Sequence, residues 1–519
     1  MKKSWLRCAA KFLMFLAVLQ MVAVLPAHAG AGPNYIEGEA LVVLRNGVGQ
    51  LNAASLSSAA ARGGFIARAA ASASAEAVHI YPELSAVSGE IFILVRSRTK
   101  STKELIAELE KNPDVVSASP NYRIYALRIP NDPRWECLWG MRKIRAPEAW
   151  DISTGSENIY VAVIDSGIDR NHPDLAPNLA RELSRNFVPP PNHTSTDTTP
   201  PFMDDNFQDG YGHGTHVAGI IAAVGGNNIG VVGVNWNARL IALRILNDRG
   251  GGNISELVAA LNYLTGLLRN NPDKKIAAVN LSLGWWSDRI PIYAEVFAHF
   301  RALDQMNRTV IVVAAGNEAS QVGVPATTVN NRGQYNYPPS FTGLANMIVV
   351  GAIDQNDNAA PLTNWSSEAV HLAAPGVGIL STWPLGVRDD YGNYSGYNMN
   401  GGTSMAAPHV AGAAALVASV NPNLTARQLK DVLCRGANRS INPKAPATIG
   451  TITVVPQGVP DTTISRYGLL DVKAAVDLVL ADGGNGGGNG GGGGGCNAAG
   501  IGLFVFIALV VGKTRMCIK

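Results

Sequence analysis

The chain has 519 residues and a formal net charge of only +3, long enough for a large core with accessory segments. Its charge is spread along the sequence instead of gathered on one face, so no nucleic-acid partner is expected. Only 16% of residues are charged and 47% are hydrophobic, which excludes a disordered scaffold, and no fixed-period repeat points to a solenoid.

The first segment, residues 1–29, reads as an export signal. Lys2, Lys3, Arg7 and Lys11 precede an apolar run from Phe12 to Leu25, and Ala27-His28-Ala29 forms a small-x-small cleavage site.

Residues 30–128 read as a small α+β unit. Glu39 to Leu44 and Ile91 to Val95 are strands, and Leu51 to Ala77 is expected to contain a helix. Ser101-Thr102-Lys103-Glu104 is a capping box in front of Leu105, Ile106 and Leu109. Asn112-Pro113 ends that helix, and Val115 to Ala118 leads as a strand into Ser119-Pro120-Asn121-Tyr122. The order is ferredoxin-like, β-α-β-β-α-β.

From 129 to 481 buried strands alternate with helices. Ile159 to Ile164, Arg239 to Ile245, Ala277 to Leu283, Thr309 to Ala314 and Met347 to Ala352 are near-continuous apolar runs. Helical patterns fall at Gly214 to Ala223, Ile254 to Asn270 and Tyr293 to Met306. The fold expected is α/β, with a mostly parallel, doubly wound sheet and its chemistry at the carboxyl ends of the strands.

Four polar residues sit where that rule places chemistry. Asp165 follows a strand directly. His213 opens a helix after a glycine-rich turn, and Asn317 follows the strand ending at Ala314. Ser404 lies in Gly401-Gly402-Thr403-Ser404, at the mouth of an Ala-rich helix whose free N–H groups favour developing negative charge. Together they supply a nucleophile (Ser404), a general base then acid (His213), a carboxylate to orient the imidazole (Asp165) and an amide donor (Asn317) that completes an oxyanion hole with the Ser404 N–H. An α/β-hydrolase is excluded, because that fold expects Gly-x-Ser-x-Gly and the order Ser, Asp, His.

These residues carry a resemblance to the subtilisin-like serine proteases. Val161-Ala162-Val163-Ile164-Asp165-Ser166-Gly167-Ile168-Asp169, His213-Gly214-Thr215-His216-Val217-Ala218-Gly219 and Gly402-Thr403-Ser404-Met405-Ala406-Ala407-Pro408-His409-Val410 match the three catalytic motifs in chain order. Ala315-Gly316-Asn317-Glu318 matches the oxyanion motif. Gly401 stands where the family usually has Ser. The resemblance implies a serine endopeptidase acting on polypeptide substrates through an acyl-enzyme, with no cofactor for catalysis. It makes the 30–128 unit an inhibitory propeptide, cut by the enzyme itself between Tyr122 and Asn131.

The resemblance also implies substrate and metal residues. Ser282-Leu283-Gly284 is similar to the strand that pairs with substrate backbone, and Asn336 falls near the floor of the S1 pocket. Trp285 and Trp286 could enlarge an apolar subsite or pack its rim. No acidic cluster marks a strict basic preference, so cleavage after apolar or uncharged residues is expected. Asp174, Asn227, Ile229 and Val231 resemble a structural calcium site, with Asn227 displaced by one inserted Gly.

The last segments differ sharply in composition. Gly483 to Gly495 is a glycine tract within a 482–496 linker that ends at Cys496. Residues 497–519 hold an apolar stretch, Ala498 to Gly512, followed by Lys513, Arg515 and Lys519. This tail resembles glycine-rich bacterial sorting signals read by a membrane peptidase, so an exported enzyme, surface-associated or released, is expected. Cys8 leaves with the signal and Cys496 and Cys517 belong to the tail, while Cys137 and Cys434 could pair in an oxidising compartment.

Overall fold

A computed structural model describes residues 35–45, 64–122, 128–190, 202–291, 294–323, 334–445 and 463–483. The expected export signal, the sorting tail and most of the glycine tract lie outside the described residues, as does most of the stretch expected to hold the propeptide cut. The chain divides into two compact units between residues 126 and 127.

The first unit is an antiparallel sheet of β1 (Tyr35–Leu44), β2 (Glu76–Ile80), β3 (Ile91–Arg96) and β4 (Val115–Tyr122), in the order β2-β3-β1-β4. Ala40, Val42 and Leu44 of β1 face Val95, Ile93 and Ile91 of β3 across the ladder. All six are buried, so alternation in each strand makes one apolar face. Helix α1 (Phe65–Ala71) lies between β1 and β2, and α3 (Thr102–Leu109) between β3 and β4. The capping box of α3 forms as expected, with Ser101 Oγ accepting from the Glu104 N–H and the Glu104 carboxylate accepting from the Ser101 N–H. A short helix not anticipated, α2 (Pro82–Ser88), joins β2 to β3. Pro82 begins it, and Gly89 stops it in the left-handed region at φ 81°.

The second unit is built on a seven-stranded sheet in which every pairing is parallel. Its strands are β5 (Ile159–Asp165), β6 (Arg185–Asn186), β7 (Arg239–Arg244), β8 (Lys275–Leu281), β10 (Val310–Ala314), β12 (Met347–Ile353) and β13 (Leu372–Pro375), in the order β13-β12-β10-β8-β5-β7-β6. Chain order reverses between β5 and β8, and such a switch point opens a crevice at the carboxyl ends of the strands. In β5, Val161 and Val163 join one hydrophobic cluster while Ala162 and Ile164 join the other. A strand buried on both faces therefore reads as one apolar run.

Two short helices, α4 (Trp139–Lys143) and α5 (Ala146–Trp150), precede the sheet. One face of the sheet carries α6 (His213–Ala222) and α9 (Thr403–Val420), and the other carries α7 (Ile254–Asn270) and α8 (Glu295–Met306). The Ala-rich sequence of α9 lets it pack closely on α6. A Cβ on Gly412 would lie 3.0 Å from the Ile221 carbonyl oxygen. Helices α10 (Ala426–Gly436) and α11 (Val472–Gly483) complete that layer. Two antiparallel ribbons flank the sheet: β9 (Trp285–Ser287) with β11 (Tyr335–Tyr337), and β14 (Ile379–Thr382) with β15 (Tyr397–Asn400).

The two body cysteines do not pair with each other. Cys434 is a free, buried thiol, whereas Cys137 takes part in a disulfide. Burial pushes the Cys434 thiol up to about 12, which leaves it a small apolar filler of α10.

Candidate active site

Asp165 is the last residue of β5 and is fully buried. One of its carboxylate oxygens accepts from the Ser166 N–H at 2.7 Å. His213 is the first residue of α6, and its Nδ1 lies 2.8 and 3.0 Å from the two Asp165 oxygens. A carboxylate accepts only, so Nδ1 carries the proton and Nε2 keeps a lone pair. Glycine permits this approach: a Cβ on Gly214 would sit 2.2 Å from the Gly167 carbonyl oxygen and 3.1 Å from Asp165 Cβ.

A second carboxylate, passed over in the sequence, organises the same turn. Asp209 is buried; its Oδ1 accepts from the N–H groups of Tyr211 and Gly212, and its Oδ2 from the N–H and hydroxyl of Thr215. The Thr215 hydroxyl oxygen in turn accepts from the Asp169 N–H at 3.0 Å. The helix start is thus tied to the loop that follows Asp165. Burial, the largest influence on the His213 imidazole, pulls its pKa down. The Asp165 carboxylate and, more weakly, Asp209 outweigh it, and the net direction is up.

Ser404 is the second residue of α9, in a first turn whose N–H groups have no intrahelical acceptors. Among the described residues its hydroxyl donates to the Ser282 carbonyl at 3.2 Å and not to His213. Gly402, at φ 132°, brings the backbone against Asn317; a Cβ there would lie 3.1 Å from Asn317 Oδ1. That oxygen accepts from the Thr403 N–H at 2.8 Å and from the Thr403 hydroxyl at 3.1 Å. With Oδ1 so held, the amide nitrogen of Asn317 is the end left for the cleft.

Asn317 and Ser404 line an open cleft together with Leu283, Gly284, Trp286, Gly316, Glu318 and Asn336. Of the expected substrate residues, Leu283, Gly284 and Asn336 line this cleft, and Ser282 is not part of its lining. Gly284 has room for no side chain, since a Cβ would meet the Tyr337 carbonyl oxygen at 2.8 Å. Of the two tryptophans, Trp286 lines the cleft and Trp285 stacks on Tyr337. Glu318 was not singled out from the sequence. Asn364 donates to its Oε2 at 2.7 Å, and Asn336 at 3.5 Å. Burial is the main reason its pKa lies above the usual carboxylate value.

The expected calcium residues also meet, with a difference. Asp174 is fully buried. It accepts from Asn227 Nδ2 at 2.8 Å, from the Val231 N–H at 2.9 Å and from the Tyr397 hydroxyl at 2.9 Å. Asn227 thus turns its nitrogen to Asp174, while its oxygen accepts from the Ile229 N–H. Asp132, absent from the expected set, accepts from the Gly226 N–H of the same loop. Its Oδ1 is buried with no hydrogen-bond partner among the described residues. Burial raises the pKa of both carboxyls, and Asp174 raises that of Asp132 further. Among the described residues no three His, Cys, Asp or Glu side chains cluster. Two buried carboxylates beside an amide, one with an orphaned oxygen, still form a donor set that fits a hard cation.

Comparison with known proteins agrees with this geometry. The sequence pattern of the subtilase family matches residues 156–463. Subtilisin E of Bacillus subtilis is 35% identical over 333 residues, covering 64% of this chain and 72% of that protein. Thermitase of Thermoactinomyces vulgaris is 35% identical over 291 residues, covering 56% and 85%. The extracellular basic protease of Dichelobacter nodosus is 32% identical over 424 residues, covering 76% and 63%. Among solved structures, a protease from Pseudoalteromonas arctica PAMC 21717 superposes with a TM-score of 0.51 at 27% identity, over 68% of this chain and 100% of that one. With a buried aspartate held to a half-buried histidine and a helix-mouth serine carried on a wholly parallel sheet, the chain belongs to the subtilase family and is a serine endopeptidase.

Proposed function

We propose that Ser404 attacks the scissile carbonyl, with His213 taking its proton and later giving it to the leaving amine. Asp165 keeps Nδ1 protonated and stabilises the imidazolium. The Asn317 amide and the Ser404 N–H receive the oxyanion, a contribution of roughly 3–4 kcal/mol per side-chain donor. The observation that carries this reading is the 2.8 Å Asp165–His213 contact. Attack requires the Ser404 hydroxyl to leave the Ser282 carbonyl and turn to Nε2, a rotamer change of the kind common between resting and substrate-bound sites. Residues 282–284 pair with substrate backbone, and the cleft beside Asn336 takes an apolar or uncharged side chain. The Glu318 carboxylate on its wall disfavours acidic ones.

The enzyme is made as an exported zymogen. Residues 1–29 direct export, 30–128 fold as an inhibitory propeptide removed by the enzyme itself, and 129–481 are the protease. The 482–496 linker and the 497–519 tail hold it at the envelope until a membrane sorting peptidase acts. Calcium, ligated through Asp132 and Asp174 with Asn227, Ile229 and Val231 in the same loop, stabilises the fold and takes no part in the chemistry. Intact-mass analysis of the expressed protein beside Ser404→Ala tests self-processing. The wild type should lose the mass of residues 30–128 and the variant keep it; equal maturation of both would refute it.

A further inference from the structure

Pro408 lies inside α9, four residues after Ser404. A proline has no backbone N–H, so the helical bond from residue 408 to the carbonyl of residue 404 cannot form. In a buried helix this leaves an acceptor open, and such acceptors are costly unless another donor reaches them. The donor here comes from the end of a neighbouring strand. The Ser282 hydroxyl donates to the Ser404 carbonyl oxygen at 2.8 Å, and Asn280 Nδ2 orients it by donating to its oxygen at 2.9 Å. Asn280 and Ser282 are both buried. In return the Ser404 hydroxyl donates to the Ser282 carbonyl at 3.2 Å.

We infer that the Ser282 side chain is a positioning residue for Ser404, and that Pro408 vacates the carbonyl on which it acts. The inference rests on Ser404 being the nucleophile and concerns the Ser282 hydroxyl, not the backbone that pairs with substrate. The first turn of a helix lacks intrahelical acceptors for its N–H groups and frays readily. Ser282 fastens the peptide unit of the nucleophile to the end of β8, a central strand, and so sets where Oγ can swing. Of the two reciprocal bonds, the one made by the Ser404 hydroxyl must break for attack. The one made by the Ser282 hydroxyl holds the backbone still while it does.

A role limited to satisfying a buried carbonyl makes a different prediction, and a double-mutant cycle separates the two. Ser282→Ala removes the donor, while Pro408→Ala supplies an N–H to the same carbonyl from within the helix. Ser282→Ala should lower kcat roughly ten- to a hundredfold through misplacement of Oγ, with KM little changed, and Ser282→Thr should keep most of kcat. In the double variant thermal stability should recover and kcat should not, because the nucleophile is no longer tied to β8. Recovery of both together, or a wild-type kcat in Ser282→Ala, overturns the inference. Should Ser282→Ala not fold, Asn280→Ala leaves the hydroxyl present but unoriented. A several-fold fall in its kcat at unchanged KM supports positioning, and an unchanged kcat overturns it. A fluorophosphonate on the wild type separates the two levels: no adduct on Ser404 overturns the nucleophile reading and this one together, whereas equal labelling rates for wild type and Ser282→Ala overturn this one alone.

Discussion

His213 is the residue on which pH should act first. Burial pulls its pKa down, but Asp165 and Asp209 hold the net value above the ordinary one, which is about 6.5 for histidine. A general base works only unprotonated, so kcat/KM should rise with pH through an apparent pKa above that figure. Asp209→Asn removes one of the two carboxylates and turns an amide N–H against donors already in place. Its acid limb should move to lower pH and its kcat should fall; a pH–rate profile with an unmoved limb would contradict the role given to Asp209. At Asn317, replacement by Ala should lower kcat by about 10²–10³ with little change in KM, because the donor acts on charge present only in the transition state. Glu318 acts on selectivity instead. Glu318→Gln should raise kcat/KM for peptides with an acidic residue at the cleaved position, relative to Leu there, by about tenfold at the ~1.4 kcal/mol that screened like charges exchange.

At the scale of elements, the loop at 226–231 carries the clearest expectation. Asp132 and Asp174 have raised carboxyl pKa values when folded, so between about 4 and those values the folded state binds more protons than the unfolded one. Stability should then fall as pH rises through that window in a chelator. Calcium held by the ionised pair, as proposed, should restore the unfolding temperature, more at the upper end of the window than at the lower. Thermal scans of Ser404→Ala, which avoids self-digestion, check the sign; a calcium-independent unfolding temperature would contradict the site. Long apolar runs made β5, β7, β8, β10 and β12 readable from the sequence, since burial on both faces leaves little room for polar residues. The four-residue strands β13, β14 and β15 were not readable, because so short a run has no period to detect. Helix α10 was missed although its signal was present: Thr425 and Gln428 form a capping box. Glu318 and Asp132 escaped notice because each acts through folding partners far along the chain, or through an oxygen left unpartnered, and neither leaves a local pattern. Asp209 binds Tyr211, Gly212 and Thr215 of its own turn, a local signal that an isolated Asp before glycines does not make specific.

On the scale of the whole molecule, three segments far apart in sequence bring an acid, an imidazole and an alcohol to the carboxyl end of one parallel sheet. That convergence was legible because each residue sits directly after a strand or at a helix start, where topology sends chemistry. The position of the Ser404 hydroxyl was not legible, since it depends on a rotamer and on the Ser282 carbonyl. The central claim is that this alcohol is the nucleophile and that the imidazole activates it. The most direct measurement is peptide mapping by mass spectrometry after exposure to a fluorophosphonate, with hydrolysis of a peptide substrate followed in parallel. One adduct on Ser404, with loss of hydrolysis in proportion to labelling and almost none of either in His213→Ala, is the predicted result. An adduct elsewhere, or hydrolysis that survives full labelling of Ser404, would contradict it.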